Sequence, residues 1–349
     1  MATALRYRSG RVRALVGVVL AVVLLHLLVF SLDTDAISTA LLEADLRMLA
    51  LAAAAALFAQ LCWNLMTVWI LRTVDDSLPR YRLLLAALAG TFGKLVLPLG
   101  NLGGAAIISY AVTEDLDRRF GEVFPPVSAS ELLRFGSSLG VTSVGLAGLV
   151  ISPVAGIEGP YVVALLSTVT AGLFAGAVTV VYRRQGVASL VVQFAALLHL
   201  VLGRVSARAT RRLAPERVAT GVESFLESFE RATADRRRLA VAGTLGIVGW
   251  LAVGLALSLS FSAVGVTLPL ALALFLAPAS GVATLLPTPG GLGTSEVALT
   301  AAVVVLVVTS AEVAAAAVLL YRLVSYWLVV AVGALASAYL SASVWRALE

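Results

Sequence analysis

The chain has 349 residues, 60% of them hydrophobic and only 13% charged, with a formal net charge of +5 and a mean hydropathy of +1.00. Soluble domains are roughly half apolar and about a quarter charged, so this composition describes a polytopic membrane protein without a sizeable soluble domain. The single cysteine, Cys62, lies within an apolar run, which excludes a disulfide framework and a thiolate metal site.

The chain opens with Arg6, Arg8, Arg11 and Arg13, followed by an apolar run long enough to stay in the membrane as a first helix. No small-residue cleavage pattern follows it, as a signal peptide would require. Full-length spans are predicted at 14–32, 48–71, 127–151, 160–182, 239–263 and 311–342, each with the roughly 20 apolar residues that a bilayer requires. The stretches 83–112 and 267–309 are apolar but interrupted by Gly and Pro, and 186–203 lies between arginine clusters. His26 and His199 each stand alone in apolar surroundings, so neither a metal nor a cofactor is expected.

Arginines set the expected topology, because cytoplasmic loops collect Lys and Arg. The basic N-terminus belongs inside, and the loop with Asp33, Asp35, Glu43 and Asp45 belongs outside. Arg72, Arg80 and Arg82 return the chain to the inside. Eleven arginines lie between Arg183 and Arg238, and this block is also cytoplasmic. The stretch 83–112 must then cross an even number of times, as a re-entrant hairpin or as two very short helices. Residues 186–203 fit an interfacial helix. A second re-entrant hairpin at 267–309 brings the C-terminus inside, beside Arg346. The predicted fold is an all-α polytopic membrane protein of about six full transmembrane helices and two broken-helix hairpins. It forms an inverted repeat, about 14–151 and about 160–342, with a basic insertion at about 183–238. Inverted repeats of this kind recur in transporters.

The two breaks read "LPLGNLGGAA" from Leu97 and "LPTPGGLGTS" from Leu286. Non-helical backbone leaves N–H and C=O groups unpaired, which hydrocarbon does not tolerate, so both breaks are expected to line a cavity. Pro98, Gly100, Asn101 and Gly103 belong to the first break, and Pro287, Pro289, Gly290, Gly291 and Gly293 to the second. The helix start after the second break, capped by Thr294 and Ser295, would present free N–H groups to a phosphate or carboxylate. Ionisable residues in apolar stretches mark the same region. They are Lys94 (the only lysine), the i, i+3 pair Glu131 and Arg134, Glu296, and Arg322 deep in the last span. These charges either bind an anion such as a lipid phosphate or pair with one another to hold the bundle. In the basic block, Phe225, Leu226 and Phe229 share one helical face, suited to an anionic membrane surface or to a solvated loop. No nucleic-acid-binding fold or aromatic platform accompanies the charge.

"LLPTPGGLGTSE", followed by "AAAAVLLYRLVSYWLVVAVGAL", resembles the C-terminal pattern of the flippase-like family that includes the transmembrane region of lysylphosphatidylglycerol synthases. The matching positions are Pro287, Pro289, Gly290, Gly291, Gly293, Glu296 and Arg322. "LPLGNLGGAAIISYAV" is similar to that family's first glycine motif, and "ASELLRFG" to its E-x-x-R helix. The first motif lacks the charged residues that often follow its glycines. With the chain ending at Glu349, a soluble aminoacyltransferase domain is not expected. The resemblance therefore implies translocation of an anionic phospholipid or a polyprenyl-phosphate-linked precursor across the plasma membrane, and not lipid synthesis. The alternative is a non-transporting subunit that presents a lipid to a partner enzyme. No nucleophile–base pair is visible, so the chain itself is not expected to be an enzyme.

Overall fold

The computed structural model describes residues 18–26, 32–73, 76–97, 100, 103–116, 118–151, 215–286, 288–307 and 309–348, with isolated positions between 164 and 175. The span expected at 160–182, apart from those isolated positions, and the interfacial helix expected at 186–203 lie outside the described residues, as do residues 14–17 and 27–31 of the span expected at 14–32. The helices are α1 (18–26), α2 (Thr34–Leu42), α3 (Leu46–Leu71), α4 (Arg80–Val96), α5 (Gly104–Leu116), α6 (Phe120–Ile151), α7 (Pro215–Ala234), α8 (Arg236–Ala263), α9 (Leu270–Ala279), α10 (Thr294–Leu306), α11 (Ala311–Arg322) and α12 (Leu328–Leu348). A π-helical turn, Leu323–Trp327, joins the last two. No strand occurs among the described residues, and the chain is an all-α polytopic membrane protein.

Helices α3 and α8 form the centre. Ala52, Ala56 and Ala59 of α3 pack in one buried cluster with Ala252, Val253, Ala256 and Leu257 of α8. Small residues allow two apolar helices to approach closely where burial in lipid offers no hydrophobic drive. The pair is antiparallel: the Asp45 N–H donates to the Ala263 carbonyl at 2.8 Å at one end, and Arg238 reaches the Arg72 carbonyl and Asp76 at the other. Asp45 also caps α3 by accepting from the N–H groups of Arg47 and Met48.

The segment 83–112 is two antiparallel helices, α4 and α5. Arg82 bonds Asp115 at their base, Gly90 lies against the Ile108 backbone, and Lys94 lies against Gly104 near the tip. Thr91 Oγ1 donates to Asn64 Oδ1 of α3 at 3.2 Å. At about 1.5 Å per residue, the end of α4 therefore stands only roughly halfway along α3, and α5 returns to the end it came from.

The segment 267–309 does the same from the opposite end. Ser258 near the end of α8 donates to the Leu268 carbonyl, and α9 then descends past Gly254 of α8 and Gly145 of α6. Helical turns at Ser280–Leu285 and Pro289–Gly291 interrupt it before α10 climbs back to Ser310, which caps α11. The stretch Pro289–Leu306 reaches spanning length only with the Pro289–Gly291 turn included, since α10 has 13 residues. Among the described residues, the other stretches long and apolar enough to cross a membrane are α3, α6, α8 and Ala311–Ser341.

The packing is reciprocal. The first arm of the first hairpin, α4, lies on α12, where Gly333 meets Phe92. The first arm of the second, α9, lies on α6. The acidic loop after α1 contains α2, whose Ile37 packs on Ala315 and Ala316 of α11. The apolar face of α7 is also engaged within the protein. The Phe225 ring lies tilted between those of Phe124 of α6 and Phe229, and Phe229 packs, with Leu133 and Leu239, against the buried cluster of Met66, Ile70, Ala129, Ala232 and Ala242. That contact takes up the face which the sequence offers to a membrane surface or a loop.

Candidate functional site

The two breaks meet. A Cβ on Gly290 would stand 2.9 Å from the Leu95 carbonyl oxygen at the end of α4, and Tyr326 of the π turn donates its hydroxyl to that same oxygen at 3.3 Å. Gly290, Gly291 and Gly293 have φ values of 54°, 71° and 80°, a left-handed region in which a side chain is strained. The second turn is also crowded. Gly290 faces the Tyr326 ring, Gly291 faces Thr284, and Gly293 faces Ala21 and Leu24 of α1. Pro289 is buried with them. In the first break, the Gly100 N–H donates to the Leu97 carbonyl, and the Gly103 carbonyl accepts from Ile107 in the first turn of α5. Pro98, Asn101 and Pro287 lie outside the described residues.

Each break has one charged cluster beside it. At the second, Arg322 Nε donates to Glu296 Oε1 at 2.7 Å while its NH2 donates to the Gly290 carbonyl at 3.0 Å. The guanidinium also lies 4.6 Å from the Tyr326 ring centre. One planar fork thus neutralises a buried carboxylate and satisfies a carbonyl that the turn leaves out of any helix. Arg322 ends α11 immediately before the π turn. Such turns insert one extra residue into a helix and are frequent at functional sites. The α10 start departs from expectation: Gly293 is its N-cap, and neither Thr294 nor Ser295 caps it. Thr294 Oγ1 instead donates to the carbonyls of Ala283 and Gly291, which ties the turn to itself. The Ser295 hydroxyl, Glu296 Oε2 and the Thr300 hydroxyl are buried without a hydrogen-bond partner.

At the first break, Lys94 leaves α4 and crosses α5 to reach Glu131 Oε2 on α6 at 2.7 Å. Arg134, one turn along α6, donates to the same oxygen at 2.6 Å. Lys94 can make this crossing because Gly104 has no side chain. A Cβ there would come within 2.9 Å of Lys94 Cδ and Cε. Arg134 is held from behind by aromatic groups. Its guanidinium lies 5.3 Å from the Trp63 ring centre, and Trp250 donates its indole N–H to the Arg134 carbonyl at 3.0 Å.

The structure therefore gathers Lys94, Glu131 and Arg134 into one cluster and Glu296 and Arg322 into another. Lys94 and Glu296 do not share a partner. Of the two roles the sequence leaves open for the buried charges, anion binding or pairing with one another, the contacts of Arg322 with Glu296 and the Gly290 carbonyl are of the pairing kind. Gly104, Trp63, Trp250 and Tyr326 were not legible as site residues, since a glycine or aromatic residue in an apolar run carries no signal of what it faces. Among the described residues, no group of three or more His, Cys, Asp or Glu side chains is arranged to hold a metal ion.

Two broken hairpins entering from opposite ends, with charges buried between long apolar helices, define a polytopic helical membrane protein with a polar centre. Residues 14–333 match the family described as the lysylphosphatidylglycerol synthase TM region. The chain belongs to that family. None of the curated proteins compared with it matches.

Proposed function

We propose that this protein is a flippase-like transporter that moves an anionic lipid or lipid-linked precursor between the leaflets of the plasma membrane. The observation that carries this reading is the meeting of Leu95 and Gly290, the tips of two hairpins that come from opposite ends of the bundle. Hydrocarbon-exposed breaks would leave backbone groups unpaired at a cost of several kcal/mol each. A meeting point of two breaks, reached from both ends, is instead suited to a polar head group passing between leaflets while its tails remain in the bilayer.

In this reading both hairpins are re-entrant, and the reciprocal packing of α4 on α12 and α9 on α6 reflects an inverted-topology repeat. The repeats comprise about 14–151 and about 160–342, with the basic insertion at about 183–238 between the first and second long helices of the latter. Both termini are cytoplasmic, in line with the arginines at the Arg72, Arg82 and Arg238 end of the bundle. The protein acts on membrane lipids without chemical change to them, so it is not itself an enzyme. It draws on no cofactor.

The test is a dithionite-quench assay on the purified protein reconstituted into vesicles with fluorescent lipids. Acceleration of loss of inner-leaflet fluorescence for an anionic lipid over protein-free vesicles is expected. Lipid binding without any acceleration would replace transport with a lipid-presenting role beside a partner enzyme.

A further inference from the structure

The two charged clusters differ in balance and in access. The Glu296–Arg322 pair is one cation against one carboxylate, and its side chains are 2% and 11% exposed. The other cluster is two cations against one carboxylate. Lys94 is 6% exposed, but Glu131 and Arg134 are each 21% exposed. Lys94 and Arg134 both converge on a single oxygen, Glu131 Oε2, so among the described residues one positive charge there has no counter-charge. Arg134 offers five N–H donors in all and directs its NH2 group to Glu131. The Lys94 chain also lies against Gly104, the first residue of α5, where the helix dipole adds partial positive charge.

Beside this cluster α6 carries an exposed apolar face. Leu132 and Phe135, next to Glu131 and Arg134 on α6, are exposed large hydrophobic residues. On a span long and apolar enough to cross the membrane, such side chains face acyl chains. An amphiphile could rest its tails on Leu132 and Phe135 with its head group at Arg134. A free aqueous anion has no use for that apolar margin.

We propose that Lys94 and Arg134 take the phosphate of the transported lipid's head group, with Glu131 as the built-in anion that holds the two cations until the phosphate arrives. Glu296–Arg322 is then a structural pair that fastens the second break. The assignment deepens the lipid-transport reading and rests on it. An arginine fork and a lysine ammonium grip phosphate oxygens through charge-assisted hydrogen bonds. Glu131 competes with the ligand for those same donors. Its removal therefore has a sign that a merely structural cluster would not produce.

The experiment is calorimetric titration of the full chain in detergent with dioctanoyl phosphatidic acid, with dioctanoylglycerol, which lacks only the phosphate, and with inorganic phosphate. Phosphatidic acid is expected to bind roughly tenfold or more tightly than the diacylglycerol, the scale set by charge-assisted bonds. Inorganic phosphate at the same concentrations is expected not to displace it. Arg134→Gln and Lys94→Gln should each weaken phosphatidic acid by about tenfold, and Glu131→Gln should tighten it by a similar factor. Arg82→Gln, which removes an equal charge at the hairpin base, should leave binding unchanged.

Weaker binding by folded Glu131→Gln protein would overturn the proposal, because a structural cluster loses order when its carboxylate is removed. So would wild-type affinity in Arg134→Gln, or an equal loss in folded Arg322→Gln protein. Displacement by inorganic phosphate at lipid-like affinity would also overturn it, by making the ligand a free anion. The two readings fail separately. Phosphate-dependent binding with this pattern in a protein that moves no lipid refutes transport alone, whereas lipid movement indifferent to Arg134 refutes this site alone.

Discussion

The two hairpins bury their breaks in different ways. The second is fastened from within its own half of the chain: Arg322 of the next helix holds Gly290 and Glu296, and Thr294 ties Ala283 to Gly291. Its carbonyls and its carboxylate are bound into one crowded turn. The first sends its charge outward, with Lys94 passing over Gly104 to a carboxylate on α6 that Arg134 already holds. A charge next to a helix break can thus serve the break itself or serve a neighbouring helix. The direction is decided by which side lacks a side chain.

The largest effect should come from the fastened hairpin. Arg322→Ala leaves Glu296 buried without its cation and the Gly290 carbonyl without its donor. Removing one partner of a buried pair costs about 3–5 kcal/mol. Thermal unfolding in detergent should show a severe loss of stability, with lipid movement abolished. Arg322→Lys keeps the charge but not the fork, so it should fold and insert while losing most lipid movement. Wild-type translocation by a well-folded Arg322→Ala protein would show that the second break does not depend on this arginine.

Gly290→Ala tests the same hairpin through its backbone. The new methyl group requires a left-handed φ and meets both the Tyr326 ring and the Leu95 carbonyl. Strain of this kind costs about 1–3 kcal/mol, and a lowered unfolding midpoint is the readout. A stability equal to wild type would mean that the two tips separate freely.

For the open hairpin the order of effects should reverse. Gly104→Ala meets the flexible end of Lys94, which can move aside, so a stability change of about 1 kcal/mol is expected. Lipid movement should fall well below what that change accounts for, because the Lys94 ammonium is displaced from its place beside Arg134, where the phosphate would bind. Equal losses of stability and transport would erase the contrast between the hairpins. The smallest effect belongs to the contact that joins them. Tyr326→Phe removes one hydrogen bond to Leu95, worth about 0.5–1.5 kcal/mol, and should give a small drop in unfolding midpoint with the fold intact.

Span positions within the described residues, both breaks and the buried charges could be read along the chain because each is a local property. Apolar run length, Pro–Gly clusters and a charge in an apolar stretch depend on neighbours in sequence. Glu131 with Arg134 was legible for the same reason, since i, i+3 residues share a helix face. The pairing of Lys94 with Glu131, 37 residues away, was not. It depends on α4, α5 and α6 packing so that Gly104 leaves a passage. The grip of Arg322 on Gly290 likewise depends on the π turn and on the hand of the glycine turn, neither of which has a periodic signature. The docking of Phe225 and Phe229 beside α6, where the sequence offered a membrane surface or a solvated loop, depends on what lies opposite that apolar face. Hydrophobicity and helix breaking are carried by residues singly or in short runs, and so the sequence determined the class of protein and where its helices fail. Which donor meets which acceptor is a property of distances across the bundle, and only the tertiary structure could decide it.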